Sequence, residues 1–232
     1  MKYLTRNKVY HKVDAIKDAK KIYIFCEGEK REIQYFKYFE GLVTNIEIIP
    51  ISNKDGQSDP VKLMEDARDL FLSETPKLSL SSLQKDEIWF VIDTDRWNES
   101  NKIDILKAFC HDQNIKSAAW FIAQSNPCFE IWLYYHFYDQ MPDKDAIALC
   151  TSFKHFVATK IVGGFDNRSM PVEIEKATQH AMVNYLADDK GQPVYLATEL
   201  FRLGMVLLPY IKDQLSIILS ATAAKQPGAP GT

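Results

Sequence analysis

Apolar residues in the first part of the chain form short runs that alternate with amphipathic segments. Four runs predict β-strands: IYIFC, NIEIIPI, EIWFVIDTD and SAAWFIAQ. Helical spacing of apolar residues occurs in EIQYFKYFEGLV, SDPVKLMEDARDLFLSE and KIDILKAFCHDQ, and NPCFEIWLYYHFY follows the fourth run as a further helix. This alternation predicts an α/β fold for residues 20–126, with a mainly parallel sheet and helices on both faces.

Two helix starts carry a specific signal. Asp59 can cap a helix whose first residue is Pro60, and Asn126 can do the same for a helix that begins at Pro127. Proline suits the first helical position because its missing N–H would have no partner there.

From about residue 143 the pattern becomes helical, and the predicted helices carry apolar stripes too wide to leave in water. We therefore expect this half to pack against the sheet and to shape a substrate or partner surface. The predicted organisation is a basic N-terminal arm (1–20), an α/β domain (21–140), a helical C-terminal subdomain (141–224) and a disordered tail (225–232).

The chain has 232 residues, of which 46% are hydrophobic and 25% charged, as is typical of a globular protein. Its net charge of −3 does not indicate a generally basic nucleic-acid-binding protein. Residues 1–21, however, carry a net charge of +5, so the remainder carries about −8. Two interpretations of this segment stay open: it approaches phosphates, or it is simply solvated.

The four cysteines form no CxxC pair and the five histidines form no HxxxH pattern, so we expect reduced thiols and no zinc site. The charged N-terminus does not resemble a secretory signal. The apolar stretch LGMVLLPYI is shorter than the roughly 20 residues of a membrane span, and Lys212 and Asp213 follow it. These features predict a soluble, cytoplasmic protein. His136 and most of the neighbouring aromatic residues are expected to lie in the core.

Carboxylates end two of the predicted strands. Glu27 follows the first strand, and Asp93 and Asp95 end the third with their side chains on the same side, opposite to Thr94. If the two strands are neighbours, three acids meet in a small volume, where they would repel each other. A hard divalent cation relieves this repulsion, so the pattern predicts a Mg²⁺ site. The alternative is structural, because acids are common at strand ends and Arg96 could pair with Asp95.

Several residues near these strand ends are candidates for supporting roles. Glycine at position 28 would allow a tight turn and a close approach to phosphate, while acids at the starts of helices, Glu32 among them, can simply compensate the helix dipole. The supporting candidates are Gly28, Glu29, Lys30, Asn126 and Glu130.

Three stretches, IFCEGEKREIQYF, WFVIDTDRW and SNPCFEIWLYYHF, resemble the RloB-like family of the Toprim superfamily over residues 20–140. The resemblance implies a Toprim-like fold, with the family's acid-glycine motif at Glu27 and Gly28 and its Asp-x-Asp motif at Asp93 and Asp95. The sequence departs from the family at Arg31-Glu32-Ile33, where Thr-Glu-Pro is usual, and at Thr94, where arginine is more frequent. A Pro-x-Thr stretch of the family's C-terminal part has only PVYLATELFRL as a counterpart.

The resemblance implies a Mg²⁺-dependent nuclease, with Mn²⁺ as a substitute metal, in which Glu27 is a general acid/base or metal ligand and Asp93 and Asp95 hold the metal. It further implies antiphage defence beside a partner ATPase. The chain contains no GxxxxGK[ST] motif, so ATP-driven steps would need another chain. The alternative is a non-catalytic scaffold or regulatory subunit that binds a partner protein or nucleic acid. A third hypothesis, primase-type nucleotidyl transfer, would want a template-binding module, which the sequence does not show.

Overall fold

The computed structural model describes residues 12–28, 30–52, 59–94 and 101–224. Strands and helices alternate through the first half, as predicted, and helices follow. The strands are β1 (Lys20–Cys26), β2 (Ile46–Ser52), β3 (Glu87–Asp93) and β4 (Trp120–Ser125). The helices are α1 (Arg31–Lys37), α2 (Pro60–Phe71), α3 (Lys102–Lys116), α4 (Glu130–Tyr135), α5 (Lys144–Ala148), α6 (Phe153–Lys160), α7 (Ile174–Val183) and α8 (Leu200–Ala223), with a 3₁₀ turn at Met170–Glu173. The basic arm is described only from residue 12 onward, and the predicted tail, 225–232, lies outside the described residues.

The four strands form one parallel sheet in the order β2-β1-β3-β4. Ile24 pairs with Pro50 on one side and with Trp89 on the other. Proline is tolerated at position 50 because β2 lies at the edge of the sheet. Since all the strands run the same way, their carboxyl ends meet at one edge, where ligands bind in such sheets.

Helices cover both faces of the sheet, which confirms the predicted α/β fold and explains the nearly continuous apolar runs in the strands. In β3, Ile88, Phe90 and Ile92 point to the face covered by α2 and α3. Trp89 and Val91 point to the other face, where they join a core that includes residues of α1, α4, α6, α7 and α8. The expectation that the helical C-terminal half packs against the sheet is therefore confirmed, while the domain boundaries stay predictions.

The predicted start of α2 is confirmed. Asp59 Oδ1 accepts hydrogen bonds from the backbone N–H of Val61 at 2.9 Å and of Lys62 at 3.1 Å, and Pro60 is the first helical residue. The cap satisfies N–H groups that have no partner within the helix.

The predicted helix start at Asn126 and Pro127 is wrong, because α4 begins at Glu130. The Asn126–Pro127 peptide bond is cis. Asn126 instead donates from its side chain to the carbonyl of Pro193 at 2.9 Å and from its backbone to the carbonyl of Ala197 at 2.9 Å. A segment distant in sequence thus uses the polar groups that the local pattern assigned to a cap.

Helix α8 lies within the C-terminal half that the pattern predicted to be helical, and it continues past the apolar stretch LGMVLLPYI through Lys212 and Asp213. Residues Leu203, Leu207 and Ile211 recur at helical spacing and are fully buried. By length and composition alone, this 24-residue helix could span a membrane: its most apolar 18-residue stretch has a mean hydropathy of 1.3, and 33% of that stretch is buried in the protein. Such values also fit a core helix, and α8 packs against α7 and β4.

Most of the aromatic residues of β4 and α4 and of the segment between them lie in the core, as expected. The buried members are Trp120, Phe129, Trp132, Tyr134 and Tyr135. Phe121 is half-buried and stacks on Trp89, with 4.9 Å between ring centroids. The four cysteines are unpaired, also as expected.

Two of the lysines from the basic segment pair with carboxylates of the folded part. Lys12 Nζ lies 2.7 Å from Glu40 Oε2, and Lys20 Nζ lies 2.5 Å from Glu87 Oε1. These two lysines thus contact carboxylates of the protein itself. The part of the predicted basic arm formed by residues 1–11 lies outside the described residues.

His136 is a packed core residue, as the sequence predicted. Its Nε2 lies 3.1 Å from the hydroxyl of Tyr35 and its Nδ1 lies 3.0 Å from the carbonyl of Trp132. Burial lowers the pKa of His136 to about 3, so the ring is neutral at physiological pH.

We predict that this histidine makes the fold sensitive to acid. An unfolded histidine, with a pKa of about 6.5, takes up a proton below that pH, whereas folded His136 does not until about pH 3. Stability is therefore lost as the pH falls, by about 1.4 kcal/mol per pH unit between pH 6 and 4. Urea denaturation at several pH values should show this loss in the wild type and less of it in His136→Gln. His111→Gln, on the exposed side of α3, is the control, and parallel curves for the wild type and His136→Gln would contradict the prediction.

Candidate functional site

Glu27 and Asp93 lie side by side at the carboxyl edge of the sheet. Strands β1 and β3 are neighbours, and Glu27, the residue after β1, donates its backbone N–H to the carbonyl of Val91 at 3.1 Å. The Glu27 carboxylate turns across the strand ends, where its Oε2 accepts the backbone N–H of Asp93 at 3.0 Å. This bond holds the Glu27 carboxylate at the end of β3, next to the first residue of the Asp-x-Asp motif.

The Asp93 carboxylate is held by the segment that leads into α4. Its Oδ1 accepts the backbone N–H of Phe129 at 2.8 Å. Burial raises the pKa of Asp93 well above its usual range, and the nearby acids Glu27, Glu32 and Glu130 raise it further. The ionised form of Asp93 is thus disfavoured by desolvation and by like charge, as expected for clustered carboxylates.

The end of β3 is fixed from the opposite face by Thr94. Its hydroxyl donates to the carbonyl of Ser125 at 2.9 Å and accepts from the side chain of Gln124 at 2.8 Å. Thr94 therefore points away from Asp93, as the alternation of an extended strand predicts.

Glu32 also belongs to this cluster, although its position at the start of a predicted helix suggested only compensation of the helix dipole. It lies in the first turn of α1 and is 9% exposed. Burial raises its pKa, and the neighbouring Glu130 adds to the rise. The signal was present in the sequence, because Glu32 shares one helix face with the buried residues Tyr35, Phe36 and Phe39.

Gly28 makes room for the Glu32 carboxylate. A Cβ atom built on Gly28 would lie 1.8 Å from Glu32 Oε2, much closer than atoms can approach. The absence of a side chain at position 28 thus brings Glu32 against the turn that follows Glu27. This role differs from the predicted close approach to phosphate, which stays a prediction.

Glu130 is the fourth acid at this edge. It lies in the first turn of α4, as predicted, and is 5% exposed. Its Oε1 accepts from the guanidinium of Arg31, and its Oε2 lies 3.9 Å from Lys154 Nζ. Burial raises the pKa of the Cys128 thiol, and the charges of the nearby Glu130 and Asp93 raise it further.

The remaining candidates are not part of the described cluster. Asp95 and Glu29 lie outside the described residues. Lys30 is exposed at the residue before α1, and Asn126 is held by the segment around Pro193 and Ala197. The structure thus brings together Glu27, Asp93 and Glu130 of the predicted set and adds Glu32.

The carboxylates are the chemically distinctive feature of this edge. Within 12–28, 30–52, 59–94 and 101–224, no group of three or more His, Cys, Asp or Glu residues has the arrangement of a metal site. The four clustered carboxyl groups offer oxygen atoms, the ligand type preferred by Mg²⁺.

The family of the chain follows from a comparison with protein-family models. A model described as RloB-like protein matches residues 22–203, well beyond the stretch over which the sequence motifs carried the resemblance. No curated protein and no solved structure matched the chain. The match includes the sheet, the acidic edge and the helices up to the start of α8. Because it covers more than half of the chain, the protein belongs to the RloB-like family.

Proposed function

We propose that this protein is a Mg²⁺-dependent nuclease of the Toprim type, which cleaves phosphodiester bonds. The observation that carries the proposal is the contact between Glu27 and Asp93 at the ends of adjacent parallel strands. Two further buried acids, Glu32 and Glu130, lie beside them. Ligand sites of parallel α/β sheets lie at this edge.

Carboxylate oxygens are the ligand type that a hard divalent cation prefers. Glu27, Asp93 and Asp95 would hold Mg²⁺, or Mn²⁺ in its place, and the raised pKa of Asp93 reflects a repulsion that a cation would relieve. When bound, the ion supplies polarisation of the phosphate and stabilisation of its developing negative charge.

Backbone N–H groups of the protein orient the two carboxylates. The backbone N–H of Asp93 holds the Glu27 carboxylate, and the backbone N–H of Phe129 holds that of Asp93. Such fixed carboxylates do not have to reorganise when the substrate arrives. Glu27 is half-buried and is the residue that we assign as general acid/base or metal ligand.

Membership of the RloB-like family supports a wider proposal, in which the nuclease acts in antiphage defence in the cytoplasm beside a partner ATPase. The Toprim assignment itself rests on the acid-glycine and Asp-x-Asp motifs. The chain has no GxxxxGK[ST] sequence, so the proposed ATPase would be a separate chain.

A second candidate is a non-catalytic scaffold that binds a partner protein or nucleic acid. It is favoured by one observation, namely that the described residues contain no three-ligand metal arrangement. In this case the acids would serve the fold and a binding surface.

Incubation of the purified protein with single- and double-stranded DNA, RNA and tRNA, each with Mg²⁺, Mn²⁺ or EDTA, separates the two candidates. Cleavage of at least one substrate with metal and none with EDTA supports the nuclease. Binding to a substrate without cleavage under any metal condition supports the scaffold.

We predict that Gly28→Ala acts through Glu32. The added methyl group would displace the flexible Glu32 carboxylate, so metal-dependent cleavage should fall by about as much as in Glu32→Ala. The double variant should lose little more than either single variant, since the residues are in contact and their effects do not add. Cleavage rates per folded molecule, in a double-mutant cycle, measure this. Independent, multiplying losses would contradict the prediction.

A further inference from the structure

Two cations lie at the mouth of the acidic edge. Arg31, the first residue of α1, and Lys154, near the start of α6, approach opposite oxygens of Glu130. The Glu130 side chain is 6% exposed, whereas those of Arg31 and Lys154 are 53% and 55% exposed. The carboxylate is thus covered and both cations face solvent.

Lys154 is close to the cluster as a whole and not to Glu130 alone. Its positive charge lowers the pKa values of Asp93, Glu32 and Cys128 against the effect of their burial. This lysine comes from the helical C-terminal half, so the acidic edge is built from both halves of the chain.

These positions raise a problem for a polyanionic substrate. Four described acids, Glu27, Glu32, Asp93 and Glu130, lie at this edge, and their ionised forms would repel a phosphate. An approaching phosphodiester needs positive charge at the entrance. Arg31 and Lys154 supply it, and a guanidinium with five N–H donors can contact one carboxylate oxygen and still bind an anion.

We propose that Arg31 and Lys154 form a phosphate clamp that holds the sugar-phosphate backbone of a nucleic acid over the acidic edge, with Glu130 positioning both cations. This inference rests on the proposed function and adds to it the way the substrate is held. It also gives the helical C-terminal half a part in substrate binding. The ligand chemistry is a phosphodiester backbone, which DNA and RNA share.

The chain offers matched controls. Lys212 has the same side-chain exposure as Lys154, 55%, and is also paired with a carboxylate, that of Glu175. Arg168 is an exposed arginine paired with Asp166. Lys212 and Arg168 have none of the four acids as ion-pair partners.

The test is fluorescence anisotropy of the full-length protein with a labelled 20-nucleotide RNA and its DNA equivalent, in EDTA, at several salt concentrations. Lys154→Ala and Arg31→Ala should each weaken binding by about 3- to 10-fold, and the double variant should lower the slope of log affinity against log salt by about two. Lys212→Ala and Arg168→Ala should bind as the wild type does, and Lys154→Arg should retain most of the affinity. A preference for one probe identifies the class of nucleic acid.

If Arg31 and Lys154 serve only the fold, their replacement by alanine would lower the melting temperature and leave the salt slope unchanged. The proposal is overturned if the folded double variant binds both probes with wild-type affinity and slope, or if the wild type binds neither probe. A wild type that binds but does not cleave, with binding weakened in Lys154→Ala, would sustain the clamp and reject the nuclease. Cleavage that depends on Asp93, together with unchanged binding and KM in the double variant, would support the nuclease and reject the clamp.

Discussion

Asp93→Asn is expected to lower metal-dependent cleavage by about 100-fold or more, because it removes a charged ligand while keeping the shape of the side chain. The remaining carbonyl oxygen can still accept the backbone N–H of Phe129, so the local fold should persist. Cleavage per folded molecule with Mg²⁺ is the measurement.

The same substitution should stabilise the protein in EDTA. Burial and like charge raise the pKa of Asp93, so the unfolded chain releases this proton at a lower pH than the folded protein does. Between the two pKa values stability falls as the pH rises, and asparagine removes that loss. The melting temperature of Asp93→Asn should therefore exceed that of the wild type, by more at neutral pH than at pH 4.

Asp112→Asn, on the exposed side of α3, is the control for loss of an aspartate and should change neither quantity. The metal-site assignment would be refuted by an Asp93→Asn protein that melts lower, cuts normally per folded molecule and responds to Mg²⁺ as the wild type does. That outcome would favour the scaffold.

Leu207→Ala is expected to cost about 3 kcal/mol of unfolding free energy and about 6–12 °C in melting temperature. Leu207 is fully buried on α8 and belongs to the core that joins the C-terminal helices to the sheet. The loss combines the transfer free energy of the removed atoms with the cavity they leave. Thermal and urea denaturation measure it.

Leu219→Ala provides a control on the same helix with the same chemistry. Leu219 is 37% exposed, so the expected cost is about 1 kcal/mol. Equal, small losses for both variants would show that α8 does not pack in the core as described.

The strands and most helices could be predicted from the sequence because their signals are local. Short continuous apolar runs and period-3.6 patterns, together with the cap at Asp59 and Pro60, depend on neighbouring residues alone. The start of α4 could not be predicted in this way. Asn126 and Pro127 have the residue types of a helix start, but pairing with residues around Ala197 outweighs that local preference.

The candidate site likewise combines features with a local sequence signal and features that depend on the fold. The sequence placed carboxylates at the ends of two strands, yet only the strand order makes Glu27 and Asp93 neighbours. Glu32 was assigned to a helix dipole, although its helical spacing to buried aromatic residues indicated a buried face. Its approach to the turn after Glu27 depends on the absence of a side chain at Gly28. Lys154 had no signal, because a lysine on a distant helix reaches the site only through the fold.

The sequence by itself determined the alternation of strands and helices, the acids at the strand ends and the carboxylate chemistry on which the proposed metal site rests. These properties follow from periodicity and side-chain chemistry, which act over a few neighbouring residues. Tertiary structure decided which acids meet, which of them are buried and which cations lie against them. Those outcomes depend on contacts such as that between Glu130 and Lys154, whose partners are brought together only when the apolar faces of distant segments are buried against each other.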